Sequence, residues 1–174
     1  MGEALIEEVR PALSGWLGHE APFAFDLDFR PDPGIGRMRI GTPPVLALAA
    51  LDVALDAWEG VEMADVRARS IELSERLIAG VEASCSTLEL ASPRNPDERG
   101  SQVAFRHPEG YAVMQALIAR GVIGDFRAPD LIRFGITPLY LEEADIDRAV
   151  EILIEIMASD AWNTPEHRKR RAVT

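Results

Sequence analysis

"RGSQVAFRHPEGYAVMQALIARGVIGDFRAPDLIRFGITPLY", Arg99 to Tyr140, is the stretch on which the fold turns. Val103 and Phe105 alternate in "SQVAFRH", flanked by Gln102 and Arg106, which reads as a strand. "PEGYAVMQALIARG" reads as a helix, with a proline near its start and Gly121 as its stop. "VIGDFR" and "DLIRFGI" follow as two short strands joined by a turn at Ala128 and Pro129, and Pro138 ends the second. One residue does not fit a plain core strand. Arg133 stands among Ile132, Phe134 and Ile136, and a guanidinium cannot shed its charge. Burying it without a counter-charge costs several kcal/mol, so an anion must meet it. Asp125 and Asp130 are candidates within the chain; the alternative is a ligand.

Outward from this block, "VEMADVRARSIELSERLIAGVEAS" is an amphipathic helix with Val66, Ser70, Leu73, Leu77 and Val81 on one face. "STLELAS" reads as a strand, "PRNPDERG" as an exposed loop. A last helix, about Glu142 to Ser159, places Ile146, Ala149, Val150, Leu153 and Met157 at helical spacing. Short adjacent strands with helices between them indicate an α+β layer, a mostly antiparallel sheet covered by helices on one face.

Upstream, "GRMRIG" is expected as a short strand. Thr42 is then the expected N-cap, with Pro43 at the first helical position. In "PPVLALAALDVALDAWEG" the polar residues before the last turn are Asp52 and Asp56, one narrow stripe. A helix this apolar should be buried nearly all round, against something the chain does not itself contain. Residues 1–35 are rich in turn formers and are expected to be irregular. Residues 36–162 should form the α+β domain, and 163–174, with "EHRKRR", a solvated, mobile basic tail.

The chain has 174 residues, 47% of them hydrophobic, and a formal net charge of −11. That charge argues against nucleic acid or an anionic membrane surface as partner. The single cysteine, Cys85, can form neither an internal disulfide nor a thiolate cluster, and reads as an inert core or boundary residue. The acidic start lacks a signal peptide's pattern and no apolar run reaches membrane-spanning length, so the cytoplasm is the expected location. No glycine-rich phosphate loop, metal-ligand cluster or nucleophile elbow stands out, and no metal is expected.

Taken together, "PALSGWLGHEAPFAFD", "GTPPVLALAAL", the block from Gly100 to Tyr140 and "AVEIL" resemble the C-terminal part of kynureninase. That family is pyridoxal-phosphate-dependent, has the aminotransferase-like (fold type I) architecture, and hydrolyses L-kynurenine to anthranilate and L-alanine. The resemblance implies the small C-terminal domain of that fold, with residues 1–35 as a remnant of the link to its large domain. It implies that Arg133 holds the substrate's α-carboxylate, for which a planar guanidinium fork is suited. It also implies that Trp16 and Thr42 reach the cofactor phosphate bound mainly by a neighbouring subunit of a dimer. An indole N–H, a hydroxyl and the amides of a helix start are all suitable donors. The plainer readings stay open: Trp16 as a buried aromatic, Thr42 as a cap. His19, beside Trp16, carries no catalytic role.

Pyridoxal-phosphate chemistry needs a lysine to hold the cofactor. The one lysine here, Lys169, lies in the basic tail, and nothing around it resembles the family's lysine segment. The chain is therefore expected to contain no catalytic residue of its own and to be inactive alone. It would act as the C-terminal portion of a kynureninase, as a homodimer or with a complementing N-terminal half. The other reading is a non-catalytic protein that keeps the fold and self-associates or binds a small carboxylate. A cysteine-desulfurase type of enzyme is disfavoured by "HPEGYAVMQALIARGVIGDFRAPD".

Overall fold

The computed structural model describes residues 3–6 and 8–170, which fall into two compact units, Met1–Gly60 and Val61–Thr174.

In the first unit a short helix, α1 (Glu3–Ile6), precedes two single turns of 3-10 helix, Trp16–Gly18 and Ile35–Met38, and a longer helix, α2 (Val45–Leu55). The strand expected over "GRMRIG" is the second of those turns. The cause is local: Arg37 is buried, its Nε donates to the Asp32 carbonyl at 2.9 Å, and the Asp32 carboxylate accepts from the Gly34 amide at 2.8 Å. The chain is thereby wound into a turn.

α2 also departs from expectation at its start. Thr42 is not the N-cap; that position falls to Pro44, with no side-chain cap. Each residue preceding a proline is pushed towards extended backbone, so the Pro43–Pro44 pair delays the helix by two residues. Within this chain none of its residues is buried: Leu46 is 88% exposed, with Val45, Leu51, Val53 and Leu55 open as well, which leaves the apolar surface to something the chain does not itself contain.

The second unit is the expected α+β layer. The helix α3 (Met63–Ser84) leads into a four-stranded, wholly antiparallel sheet of β1 (Glu89–Leu90), β2 (Gln102–Arg106), β3 (Asp125–Arg127) and β4 (Leu131–Gly135), in the order β1-β2-β4-β3. Helix α4 (Gly110–Ala119) joins β2 to β3, and α5 (Glu143–Ala158) follows β4. Ser70, Leu73, Ser74, Leu77, Ile78 and Val81 of α3 are buried at the spacing of one helical face. α4 stops where expected, at Gly121 in a left-handed conformation with φ of 87°. α5 opens on a reciprocal capping box between Glu142 and Asp145 and buries Ile146, Val150, Ile152, Leu153 and Ile156. Helices and sheet meet over Val103, Phe105, Phe126, Ile132 and Phe134, where Phe105 and Phe134 stack edge to face at 6.3 Å.

The basic tail, expected to be solvated and mobile, folds in part onto this unit. A final turn, α6 (Pro165–Arg168), is capped by Thr164, whose hydroxyl accepts from the His167 amide at 3.2 Å. Arg168 pairs with Glu109 and lies over the Trp162 ring, and the Arg170 guanidinium sits 5.6 Å from the rings of both Tyr111 and Phe126. These stacks hold the segment. Cys85 is buried, as expected, and burial pushes its thiol pKa up, which makes it a poor nucleophile.

Candidate functional site

The three candidate residues divide between the units: Trp16 and Thr42 in the first, Arg133 in the second.

Strand alternation decides where Arg133 points. Ile132 and Phe134 face the helices, so Arg133 between them lies on the sheet's other face. Its cross-strand neighbours there are Ala104 on β2 and Asp125 on β3. Ala104 is small enough to leave room for the guanidinium, and the side chain is 23% exposed, half-sheltered rather than buried. Asp125 takes it side-on: Nε donates to Oδ1 at 2.6 Å, and Nη2 donates to Oδ2. Of the two acids offered by the sequence, then, Asp125 is the partner. Asp130 pairs with Arg106 at 2.9 Å instead. The hydrogen bonds from Arg133 hold the Asp125 carboxyl below its ordinary range, and Asp125 in turn raises the Arg133 pKa. A depressed carboxylate stabilises the fold above its unfolded pKa and stops doing so as pH falls through its folded value. The pair is therefore fully ionised through the neutral range, and its contribution fades only in acid below about pH 4.

In the first unit two segments remote in sequence cross backbone to backbone. A Cβ on Gly15 would lie 1.8 Å from the Ile40 carbonyl oxygen, and one on Gly18 would lie 2.7 Å from the carbonyl oxygens of Arg37 and Arg39. Only glycines permit that approach. The crossing brings the residue before Trp16 against the residue two before Thr42. Trp16 is 51% exposed, edge to face with Phe23, and Thr42 is exposed too. The buried-aromatic and capping readings of these two residues are thus not what the structure shows. Close by, the amides of the first turn of α2 point out of a helix start that no side chain caps. An exposed indole N–H, a hydroxyl and uncapped amides are each donors of the kind a phosphate takes.

Replacing Gly15 with valine should force the crossing apart, at a cost of about 1 to 3 kcal/mol, the usual range for overpacking. Amide resonances of residues 15–18 and 37–42 should shift together in the variant; unchanged spectra would refute the close approach.

His19 is a loop staple. Its Nδ1 accepts from the Ala21 amide at 2.9 Å, which leaves the proton on Nε2, 3.3 Å from the Asp28 carbonyl oxygen. Asp125 is the site residue that the sequence offered only as one of two possible partners. The buried Arg37 was not anticipated; an arginine five residues after an aspartate in a glycine-rich turn was its only signal. Among the described residues no group of His, Cys, Asp and Glu side chains could hold a metal ion, and no helix is long and apolar enough to cross a membrane.

Comparison with known proteins adds the context for this geometry. The family described as the kynureninase C-terminal domain matches residues 66–153. Kynureninase of Burkholderia mallei strain SAVP1 is 48% identical over 164 residues, covering 93% of this chain and 39% of the relative. That of Pseudomonas fluorescens is 44% identical over 172 residues, covering 98% of this chain and 41% of the relative. The chain thus spans about two fifths of the length of these relatives. Among solved structures, an apo cysteine desulfurase from Thermococcus onnurineus NA1 superposes with a TM-score of 0.74 at 15% identity, over 91% of this chain and 42% of that one. The cystine C-S lyase C-DES, in complex with cysteine persulfide, gives 0.72 at 20% identity, over 89% and 41%. At such identities the likeness establishes the fold: the C-terminal portion of the aminotransferase-like architecture.

Proposed function

The chain belongs to the kynureninase family, as its C-terminal domain, and from that premise we propose that it supplies the substrate-carboxylate and cofactor-phosphate contacts for the hydrolysis of L-kynurenine to anthranilate and L-alanine. The observation that carries the reading is the match over residues 66–153, which encloses Arg133 on the face of the sheet turned away from the helices. A guanidinium so placed offers a planar fork to the substrate's α-carboxylate. Trp16, Thr42 and the first amides of α2 would hold the phosphate of pyridoxal phosphate. When bound, that cofactor supplies the electron sink for bond cleavage beside the amino-acid α-carbon. This chain's residues bind and orient; they move no proton.

The lysine that anchors the cofactor is not among them. Lys169, whose backbone carbonyl accepts from the Tyr111 hydroxyl at 3.2 Å, follows the last helical turn and lies in no donor set of this kind. Mixing the purified chain with pyridoxal phosphate is expected to give no absorbance band of a lysine-bound cofactor. A band abolished by Lys169→Ala would overturn that expectation.

The deciding experiment is kynurenine cleavage, followed by anthranilate fluorescence, for the chain with pyridoxal phosphate alone and after co-expression with the N-terminal portion of a kynureninase. Activity only in the co-expressed sample is the expected result, with the assembly working as a dimer in the cytoplasm. Activity from the chain alone would refute the division of labour. No activity in either sample, from folded protein, would favour the second reading, a non-catalytic protein that self-associates or binds a small carboxylate. The exposed apolar surface of α2 calls for a partner under either reading, the complementing half in the first and a second copy in the other.

A further inference from the structure

Asp125 meets Arg133 in a way that leaves half of the guanidinium unused. The side-on pair occupies Nε–H and the near N–H of Nη2. A guanidinium has five N–H donors, and its end-on edge, formed by Nη1 and the far N–H of Nη2, is a second fork of the same geometry. No acceptor meets that edge among the described residues. We propose that Asp125 is the positioning residue for substrate recognition: it grips one edge of Arg133 and aims the other at the α-carboxylate, rather than competing with the carboxylate for the same fork. The inference rests on the reading that Arg133 takes a substrate carboxylate.

Three observations support it. Asp125 and Arg133 are direct cross-strand partners at the end of the β3–β4 pairing, so backbone register fixes the acid opposite the guanidinium. Asp125 does not cancel the charge of the site, because Arg127, two residues along the same strand face, lies 3.9 Å from the same carboxylate. Two guanidinium groups against one carboxylate leave a net positive charge for an incoming anion. Finally, an unheld arginine would have to give up rotamer freedom on binding, and a side chain already clamped by two hydrogen bonds has surrendered it in advance.

Asp125 and a bound carboxylate repel, so simple removal of the acid mixes lost aim with gained attraction. The test therefore compares two neutral replacements. Asp125→Asn keeps an acceptor for the arginine and Asp125→Ala keeps none, so the charge term cancels between them.

The probe is L-alanine, with L-alaninamide as the control that lacks a carboxylate. The readout is the nitrogen-15 spectrum of arginine side chains in the whole chain, with Arg133 assigned through Arg133→Lys. In the wild type, L-alanine should shift the Arg133 Nη signals and leave Nε–H at its Asp125-bonded position. Asp125→Asn should bind L-alanine about fivefold more tightly than Asp125→Ala, the net worth of one ordinary hydrogen bond kept in place. Joint movement of Nε–H towards its free position would make Asp125 a competitor, and would overturn the proposal while keeping the carboxylate reading. Equal affinities in the two variants would also overturn it. No response of Arg133 to L-alanine, or the same response to L-alaninamide, would remove the carboxylate reading and this inference with it. Should Asp125→Ala fail to fold, the wild-type titration decides alone.

Discussion

Replacing Arg133 with alanine, in the co-expressed enzyme, is expected to lower kcat/KM for L-kynurenine by about a hundredfold, most of it as a rise in KM, the usual consequence of removing one member of a close charge pair. The direction follows from the face on which the residue stands. Core packing is untouched, because Ile132 and Phe134 on the other face carry it. What is lost is the fork, and with it the charge that draws the carboxylate in. Arg133→Lys should recover only a small part, since an ammonium is a point charge without a bidentate edge. Both variants leave Asp125 without its side-on partner, so its carboxyl should drift back up towards the ordinary range, a change visible by NMR titration. Normal substrate saturation in Arg133→Ala, with that drift present, would mean that the residue serves the fold through Asp125 and nothing else.

The second unit was legible in the sequence because its signals are local and agree with one another. "SQVAFRH" and "DLIRFGI" alternate, "YAVMQALIA" lies between a proline and a glycine, and α3 and α5 carry clear apolar faces. Each period matches the layer it forms. The first unit was less legible because its structure is set by close backbone approach, which leaves glycines but no periodicity. "GRMRIG" has the alternation of a strand, yet Arg37 turns inward to the Asp32 carbonyl and the segment winds into a 3-10 turn. Thr42 followed by proline has the form of a capped helix start, yet the second proline moves the start to Val45.

The candidate site was partly readable in the same way. An arginine inside an apolar run had to have a partner, and sequence alone could not choose between Asp125 and Asp130, five residues apart. Antiparallel register chooses: β3 sets Asp125 directly opposite Arg133, and Asp130, beyond the strand pair, is left to Arg106. That one guanidinium serves a protein acid and still offers a second edge is a matter of orientation that no spacing encodes.

The sheet that presents Arg133 depends on the core behind it, and Phe105→Ala should show this with the largest stability loss of any single truncation in the second unit. Phe105 has 0% exposure, stacks edge to face on Phe134, and lies across the strand pair from Ile132. Its removal deletes a large buried ring and leaves a cavity between sheet and helices, and such truncations cost about 3 to 5 kcal/mol. Against the roughly 5 to 15 kcal/mol that holds a typical domain together, that is a large share. Phe105→Leu, which refills most of the space, should cost about 1 to 2 kcal/mol. Hydrogen exchange at the amides of Leu73, Ile78 and Leu153, fully buried side chains on the two flanking helices, is the direct measure, because their protection reports global opening of this unit. Loss of protection in proportion to ring volume would tie helices and sheet into one cooperative core. A loss below about 1 kcal/mol in Phe105→Ala would mean that the helices hold together without the sheet, and that Arg133 and Asp125 stand on a platform the core does not support.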